Sequence, residues 1–152
     1  MFIEVKSGKE MQQFGAKIST VFCGGEIIEL IGDVGSGKTT LTKGIAIGLG
    51  VTENVQSPSF TINRVYAGRD DIMLSHYDFY RLNNAGIMAD ELQEVTSDLK
   101  TVTVIEWGGL VEGVLPIDRL SIKITSSTEN TRQLELIAGG ENSRKILEGL
   151  KL

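Results

Sequence analysis

Apolar residues along this chain keep two rhythms, and the switches between them mark out its elements. Residues 2–6 read as a short edge strand. Ser7-Gly8-Lys9-Glu10 then makes an S-x-x-E capping box. Met11, Phe14, Ile18 and Phe22 follow at helical spacing and predict an amphipathic helix over residues 8–22, ended by Gly24-Gly25. Glu26-Ile27-Ile28-Glu29-Leu30-Ile31 is apolar on both faces except at Glu29, which suits a central parallel strand with helices on each side. Leu41, Ile45 and Leu49 form the buried stripe of a helix running from Thr39 to Leu49 and closed by Gly50. Gly44 and Gly48 weaken that helix intrinsically, so their expected use is close packing on the sheet.

Residues 60–66 and 72–77 alternate as strands around the turn-like Ala67-Gly68-Arg69-Asp70-Asp71, which predicts a hairpin instead of another parallel crossover. The polar stretch from Asn83 to Lys100 holds a helix with Ile87, Leu92 and Val95 inward, and Thr101 to Ile105 reads as a second buried strand. The tail gives two alternating strands, one with Leu120, Ile122 and Ile124 on a single face and one with Leu134 and Leu136. A last helix, 141–151, buries Ile146, Leu147 and Leu150.

Between the central strand and the helix after it lies Gly32-Asp33-Val34-Gly35-Ser36-Gly37-Lys38-Thr39, a fit to G-x-x-x-x-G-K-[ST]. The glycines let successive amides turn inward as a cradle for phosphate oxygens, and the helix adds its positive N-terminal end. Lys38 supplies a point charge to β- and γ-phosphates, and the Thr39 hydroxyl can ligate Mg²⁺. Chance would produce such a match roughly once in fifty chains of this composition, and the strand-loop-helix context makes it rarer. The predicted fold is α/β, a P-loop NTPase-like mixed sheet with a parallel core and antiparallel additions, flanked by helices in one domain over 1–152.

Composition narrows the partners. The chain has 20 acidic against 15 basic residues, a net charge of −5, which argues against a protein that grips nucleic acid by itself. Docking on a partner that holds nucleic acid stays open. No apolar run approaches the ~18 residues that span a bilayer, so no membrane is expected. Met1-Phe2-Ile3-Glu4-Val5 lacks an export pattern, and the single Cys23 cannot make an internal disulfide; both suit the cytoplasm. Cys23 itself reads as a small apolar filler at a helix end.

A phosphate loop needs a carboxylate for Mg²⁺ and a group that orients the attacking water. Val102-Thr103-Val104-Ile105 delivers Glu106 at a strand's C-terminal end, where open α/β sheets place ligands. In His76-Tyr77-Asp78-Phe79-Tyr80-Arg81, alternation puts His76, Asp78 and Tyr80 on one face if the strand continues, either as site residues or as a structural network. His76 reads as a satisfied hydrogen-bonding histidine, with proton acceptor as the alternative. Trp107 either closes the nucleotide pocket or packs the core. Ser57-Pro58-Ser59-Phe60 lies where phosphate-loop proteins often sense the γ-phosphate.

Taken in order, the phosphate loop through Thr40, Ser57-Pro58-Ser59-Phe60, His76-Tyr77-Asp78-Phe79-Tyr80-Arg81-Leu82, Ile105-Glu106-Trp107, Leu115-Pro116 and Arg132 resemble the TsaE family, small bacterial ATPases of tRNA threonylcarbamoyladenosine biosynthesis. The likeness covers nearly the whole chain. It implies an ATP- and Mg²⁺-dependent ATPase that works with the TsaB–TsaD pair and meets tRNA only through that complex. It further implies that Asp33, Val34, Gly35, Ser36, Gly37, Lys38, Thr39 and Thr40 hold the nucleotide, with Trp107 at the pocket and Arg132 beside the Lys6–Ser7 turn flanking the base. Lys38, Asp78 and Glu106 become the catalytic set, Thr39 and Glu106 the metal ligands, and Ser57 to Phe60 a switch-like loop. Two positions depart from the family pattern: Ser59 stands where Thr is usual, and Glu91-Leu92-Gln93-Glu94-Val95 replaces a Gly-Leu-acid-acid-aromatic run.

Rival uses of the same loop are less well served. A small-molecule kinase would need an acceptor pocket and an arginine-bearing lid, and the segment after Arg81 is poor in arginine. A GTP switch would need a guanine-reading Asn-Lys-x-Asp or Thr-Lys-x-Asp run, which the sequence lacks. A non-hydrolysing ATP-binding adaptor is the third possibility.

Overall fold

The apolar run after Glu26 becomes β2 (Ile27–Ile31), the central strand of a seven-stranded sheet in the computed structural model. The structure describes residues 1–150 apart from 59, 60, 83, 85 and 87. The other strands are β1 (Phe2–Val5), β3 (Asn63–Ala67), β4 (Met73–Asp78), β5 (Thr101–Glu106), β6 (Leu120–Ser126) and β7 (Arg132–Ala138). The helices are α1 (Gly8–Ser19), α2 (Lys38–Gly48), α3 (Met88–Thr96) and α4 (Glu141–Leu150). The sheet order is β1-β7-β6-β2-β5-β4-β3. Strands β4, β5, β2 and β6 run parallel, while β3, β7 and β1 join antiparallel. The expected hairpin is therefore β3–β4, added to one side of the parallel core.

Alternation along β2 separates two cores. Ile28 and Leu30 face α1, α2 and α4, in a cluster that takes in Phe14, Ile18, Leu41, Ile45, Val104, Ile122 and Ile146. Ile27 faces the other way, toward a smaller cluster with Tyr77, Phe79, Ile105, Leu115 and Leu92 of α3. Glu29 shares that second face and is buried, its Oε1 accepting from Arg119 Nε at 2.9 Å and from Ser121 Oγ at 3.4 Å. A buried carboxylate in a central strand is tolerable because that guanidinium meets it.

Several details differ from the sequence expectation. Helix α1 begins at Ser7, whose Oγ accepts from Glu10 N, but Glu10 reaches back to Lys6 N and not to Ser7 N. The helix stops at Ser19, and Phe22 is buried from the turn beyond it. Gly44 and Gly48 serve α1 and not the sheet: a Cβ at Gly44 would lie 2.1 Å from Gln12 O, and one at Gly48 would lie 1.8 Å from Ser19 Oγ. Gly15 is the counterpart on α1, 2.5 Å from Leu41 O by the same construction. The helices touch backbone to backbone, and any side chain there would push them apart. Cys23 is exposed instead of filling an apolar gap, because its own N–H bonds Glu26 and holds the turn at the surface. Strand β4 ends at Asp78, so Tyr80 leaves the face shared by His76 and Asp78 and stands exposed. Of the inward residues expected in the third helix, Leu92 is buried and Val95 packs beside it; Ile87 lies outside the described residues.

Two polar side chains fasten the frame. In the β3–β4 turn, Arg69 donates from Nη2 to Ser19 O and Phe22 O, each at 3.1 Å, and from Nε to Gly48 O at 3.4 Å. A guanidinium thus covers carbonyls at the C-terminal ends of both α1 and α2. Asp118, ahead of β6, accepts from the Asn142 and Ser143 amides and from Ser143 Oγ, capping α4 from outside it. Burial alone would raise the Asp118 carboxyl, but the bonds from Ser143 and Asn142, with Arg144 nearby, outweigh it and hold the carboxyl below its usual range.

Arg69→Ala is expected to lower unfolding free energy by about 2 kcal/mol, the scale for hydrogen bonds from a charged donor, as read from urea melts. Asp118→Ala is expected to lose about 1 kcal/mol at neutral pH, the scale of a helix cap. A depressed native carboxyl stabilises above its unfolded value of about 3.9 and loses that contribution as pH falls. Melts repeated down through pH 4 should therefore show the variant and the parent converging.

Candidate active site

Where β2 ends, the loop must reverse direction and start a helix within six residues. Gly35 (φ 80°) and Gly37 (φ 107°) supply the left-handed steps, a conformation a side chain disfavours. Gly37 caps α2 without a side-chain bond, so no side chain at the cap takes up the first-turn N–H groups. Ser36 and Lys38 are buried, and Thr39 and Thr40 are half-buried at the mouth. Lys38 Nζ donates to Gly32 O at 2.7 Å and Asp33 O at 2.9 Å, and sits 4.6 Å from the Trp107 ring centroid. Burial pushes this ammonium below the usual lysine value, against the opposing pull of Glu106, Asp78 and Asp33.

The carboxylates come from two neighbouring strand ends. Asp78 and Glu106 are directly paired in the parallel register of β4 and β5, and both are buried. Asp78 Oδ2 accepts from Ser57 Oγ at 3.1 Å, and its Oδ1 accepts from Tyr80 N at 3.0 Å. Glu106 Oε2 accepts from His76 Nε2 at 2.5 Å. Trp107 follows with φ 59°, the left-handed region, and that turn brings its ring over Lys38 and within 4.9 Å of the Tyr80 ring. Trp107 lines the cleft and also packs against the smaller apolar cluster, so each of the two sequence readings describes part of its position.

A cleft of about 410 Å³ gathers these groups, with Val34, Lys38, Thr39, Ser57, Asp78 and Glu106 among its lining residues. A second, of about 380 Å³, lies around the other side of the loop between Lys6, Ser7, Met11 and Arg132, and the two share Gly35, Gly37 and Thr40. Arg132 lines that second cleft, but most of its contacts are to backbone. It donates from Nε to Ser36 O at 3.2 Å and from Nη1 to Thr128, Glu129 and Thr131 carbonyls. It thereby ties the β6–β7 turn to the phosphate loop. Ser59 and Phe60, half of the expected switch segment, lie outside the described residues.

Sequence reasoning named Ser57 and Tyr80 but missed how each joins the cluster. The Ser57–Asp78 bond spans 21 residues and leaves no local trace, and Tyr80 joins the site through the aromatic pair instead of through strand alternation. The pairing of His76 with Glu106 was likewise unreadable, although a hydrogen-bonded histidine was expected.

Comparison with known proteins agrees with the residues. Residues 5–134 match the family described as threonylcarbamoyl adenosine biosynthesis protein TsaE. The tRNA threonylcarbamoyladenosine biosynthesis protein TsaE of Bacillus subtilis is 38% identical over 141 residues, covering 89% of this chain and 84% of that protein. Its namesake from Streptomyces coelicolor is 38% identical over 126 residues, with 80% and 82% covered, and that from Haemophilus influenzae is 31% identical over 150 residues, with 96% and 90% covered. A crystal structure of Bacillus subtilis YdiB superposes with a TM-score of 0.82 at 31% identity, spanning 99% of this chain and 93% of that one. Loop, paired carboxylates and overall likeness lead to one conclusion: the chain belongs to the TsaE family of threonylcarbamoyl adenosine biosynthesis proteins.

Proposed function

We propose that the chain is the ATP-binding and ATP-hydrolysing subunit of threonylcarbamoyl modification of tRNA adenosine, acting in the cytoplasm with TsaB and TsaD and reaching tRNA through them. The observation that carries this reading is the convergence of Lys38, Thr39, Asp78 and Glu106 on one cleft at the N-terminus of α2. The donor set fits a nucleoside triphosphate with a divalent ion. The loop amides and the ammonium suit phosphate oxygens, while a hydroxyl and two carboxylates suit a hard cation. Thr39 and Glu106 would hold Mg²⁺, with Asp78 assisting. When bound, that ion neutralises charge on the β- and γ-phosphate oxygens.

The protein's own groups supply the rest. Asp33 to Thr40 wrap the triphosphate, and Lys38 leaves the Gly32 and Asp33 carbonyls to meet its terminal oxygens. Trp107 and Tyr80 line the cleft and limit water, and Asp78, which accepts from Ser57 Oγ and Tyr80 N, orients the attacking water. That water's oxygen bonds to the γ-phosphorus as the bond to the bridging oxygen breaks, ADP leaves with the electron pair, and the water's proton passes to a phosphate oxygen and on to solvent. Arg132 and the Lys6–Ser7 turn flank the base in the neighbouring cleft. No helix among the described residues is long and apolar enough to cross a membrane, and the net acidic chain suits work through partner proteins.

Lys38→Ala is expected to weaken Mg·ATP binding by at least about 100-fold in calorimetry, the scale of about 3 kcal/mol for a charge-assisted contact. Glu106→Ala should lower Mg²⁺-dependent phosphate release far more than ATP affinity, measured with and without TsaB–TsaD. Normal hydrolysis by Glu106→Ala would remove Glu106 from the metal site, and indifference of the parent protein to Mg·ATP would end the ATPase reading.

A further inference from the structure

We infer that His76 is a positioning residue that fixes Glu106 in its working orientation. The inference rests on the ATPase reading above and goes beyond it by giving a role to a side chain that touches neither nucleotide nor metal. His76 is fully buried on β4, on the same face as Asp78, and its Nε2 lies 2.5 Å from Glu106 Oε2. An ionised carboxylate can only accept, so Nε2 carries the hydrogen and donates it. The bond engages one carboxylate oxygen and leaves Oε1 for the cleft that Glu106 lines.

The other ring nitrogen argues against a purely structural histidine. Nδ1 has no hydrogen-bond partner among the described residues. Its neighbours in register are Arg64 on β3 and Val104 on β5, and neither supplies one. An orphaned buried polar atom carries an uncompensated desolvation cost, which an apolar residue at this core position would avoid. A side chain with half its bonding capacity unused has one evident contact to justify it, the bond to Glu106. Carboxylates that act at metal sites need such outer partners, and losing one typically lowers metal affinity or activity 10–100-fold.

The test compares two amides. Gln extends its amide to about the place of Nε2 and can donate to Glu106, whereas Asn ends near the place of Nδ1 and falls short. Mg²⁺ is titrated into the ATP-loaded protein and followed through the fluorescence of Trp107, the only tryptophan in the chain. His76→Asn should raise the half-saturating Mg²⁺ concentration about tenfold, with affinity for ATP in EDTA held within about twofold, and His76→Gln should stay within about threefold of the parent. Equal behaviour of the two variants, or a parallel loss of Mg²⁺-free ATP affinity, would overturn the inference. NMR of the protein without nucleotide gives an independent reading. A downfield imidazole N–H resonance that shifts in Glu106→Gln is expected, and its absence would also sink the idea. If the parent protein ignored Mg·ATP altogether, the ATPase reading would fail, and the NMR line would still decide whether His76 orients Glu106.

Discussion

One ammonium facing two adjacent carboxylates in a largely buried space is the arrangement on which the rest of this molecule turns. Asp78 and Glu106 sit side by side in register, and two carboxylates so placed repel each other. Lys38 and the N-terminus of α2 offset part of that repulsion. The strand ends deliver the acids, the helix start delivers the positive pole, and only a parallel sheet followed by a tightly turned loop can set the two against each other.

Placing α2 accurately then becomes a packing problem. The helix is held on its outer side by α1, at a distance set by three glycines that bring backbone against backbone. On its inner side Leu41 and Ile45 seat it on β2 and its neighbours. The phosphate loop between them is gripped from below by Lys38 and from the β7 side by Arg132, both through its own carbonyl oxygens. Loop shape is thus specified by charged donors as well as by glycine.

Much of this was legible in the residues themselves. The phosphate loop, the capped first helix, the central strand and the hairpin all announce themselves through local spacing, as do Glu106 at its strand end and the mixed parallel and antiparallel sheet. What could not be read is what depends on distant partners. Gly44 and Gly48 were recognisable as close-packing glycines, yet whether they face the sheet or another helix is decided by tertiary placement. Glu29 stood out as polar in an apolar strand, but its answer, Arg119, lies 90 residues away. Tyr80 shows the limit of periodicity: alternation assigns it to the face of Asp78 only while the strand lasts, and the strand stops two residues before it.

Strand β4 carries Arg69 ahead of one end and Asp78 at the other, so it acts as a strut between the C-termini of α1 and α2 and the cleft beside Lys38. Its length is quantised by the pleat. Adding or removing a single residue would swap the inward and outward rows, sending the Tyr77 phenol into the carboxylate site and His76 toward α3. Evolutionary drift in this hairpin is therefore held by Arg69 in the turn, and in the strut itself it can proceed only by pairs of residues.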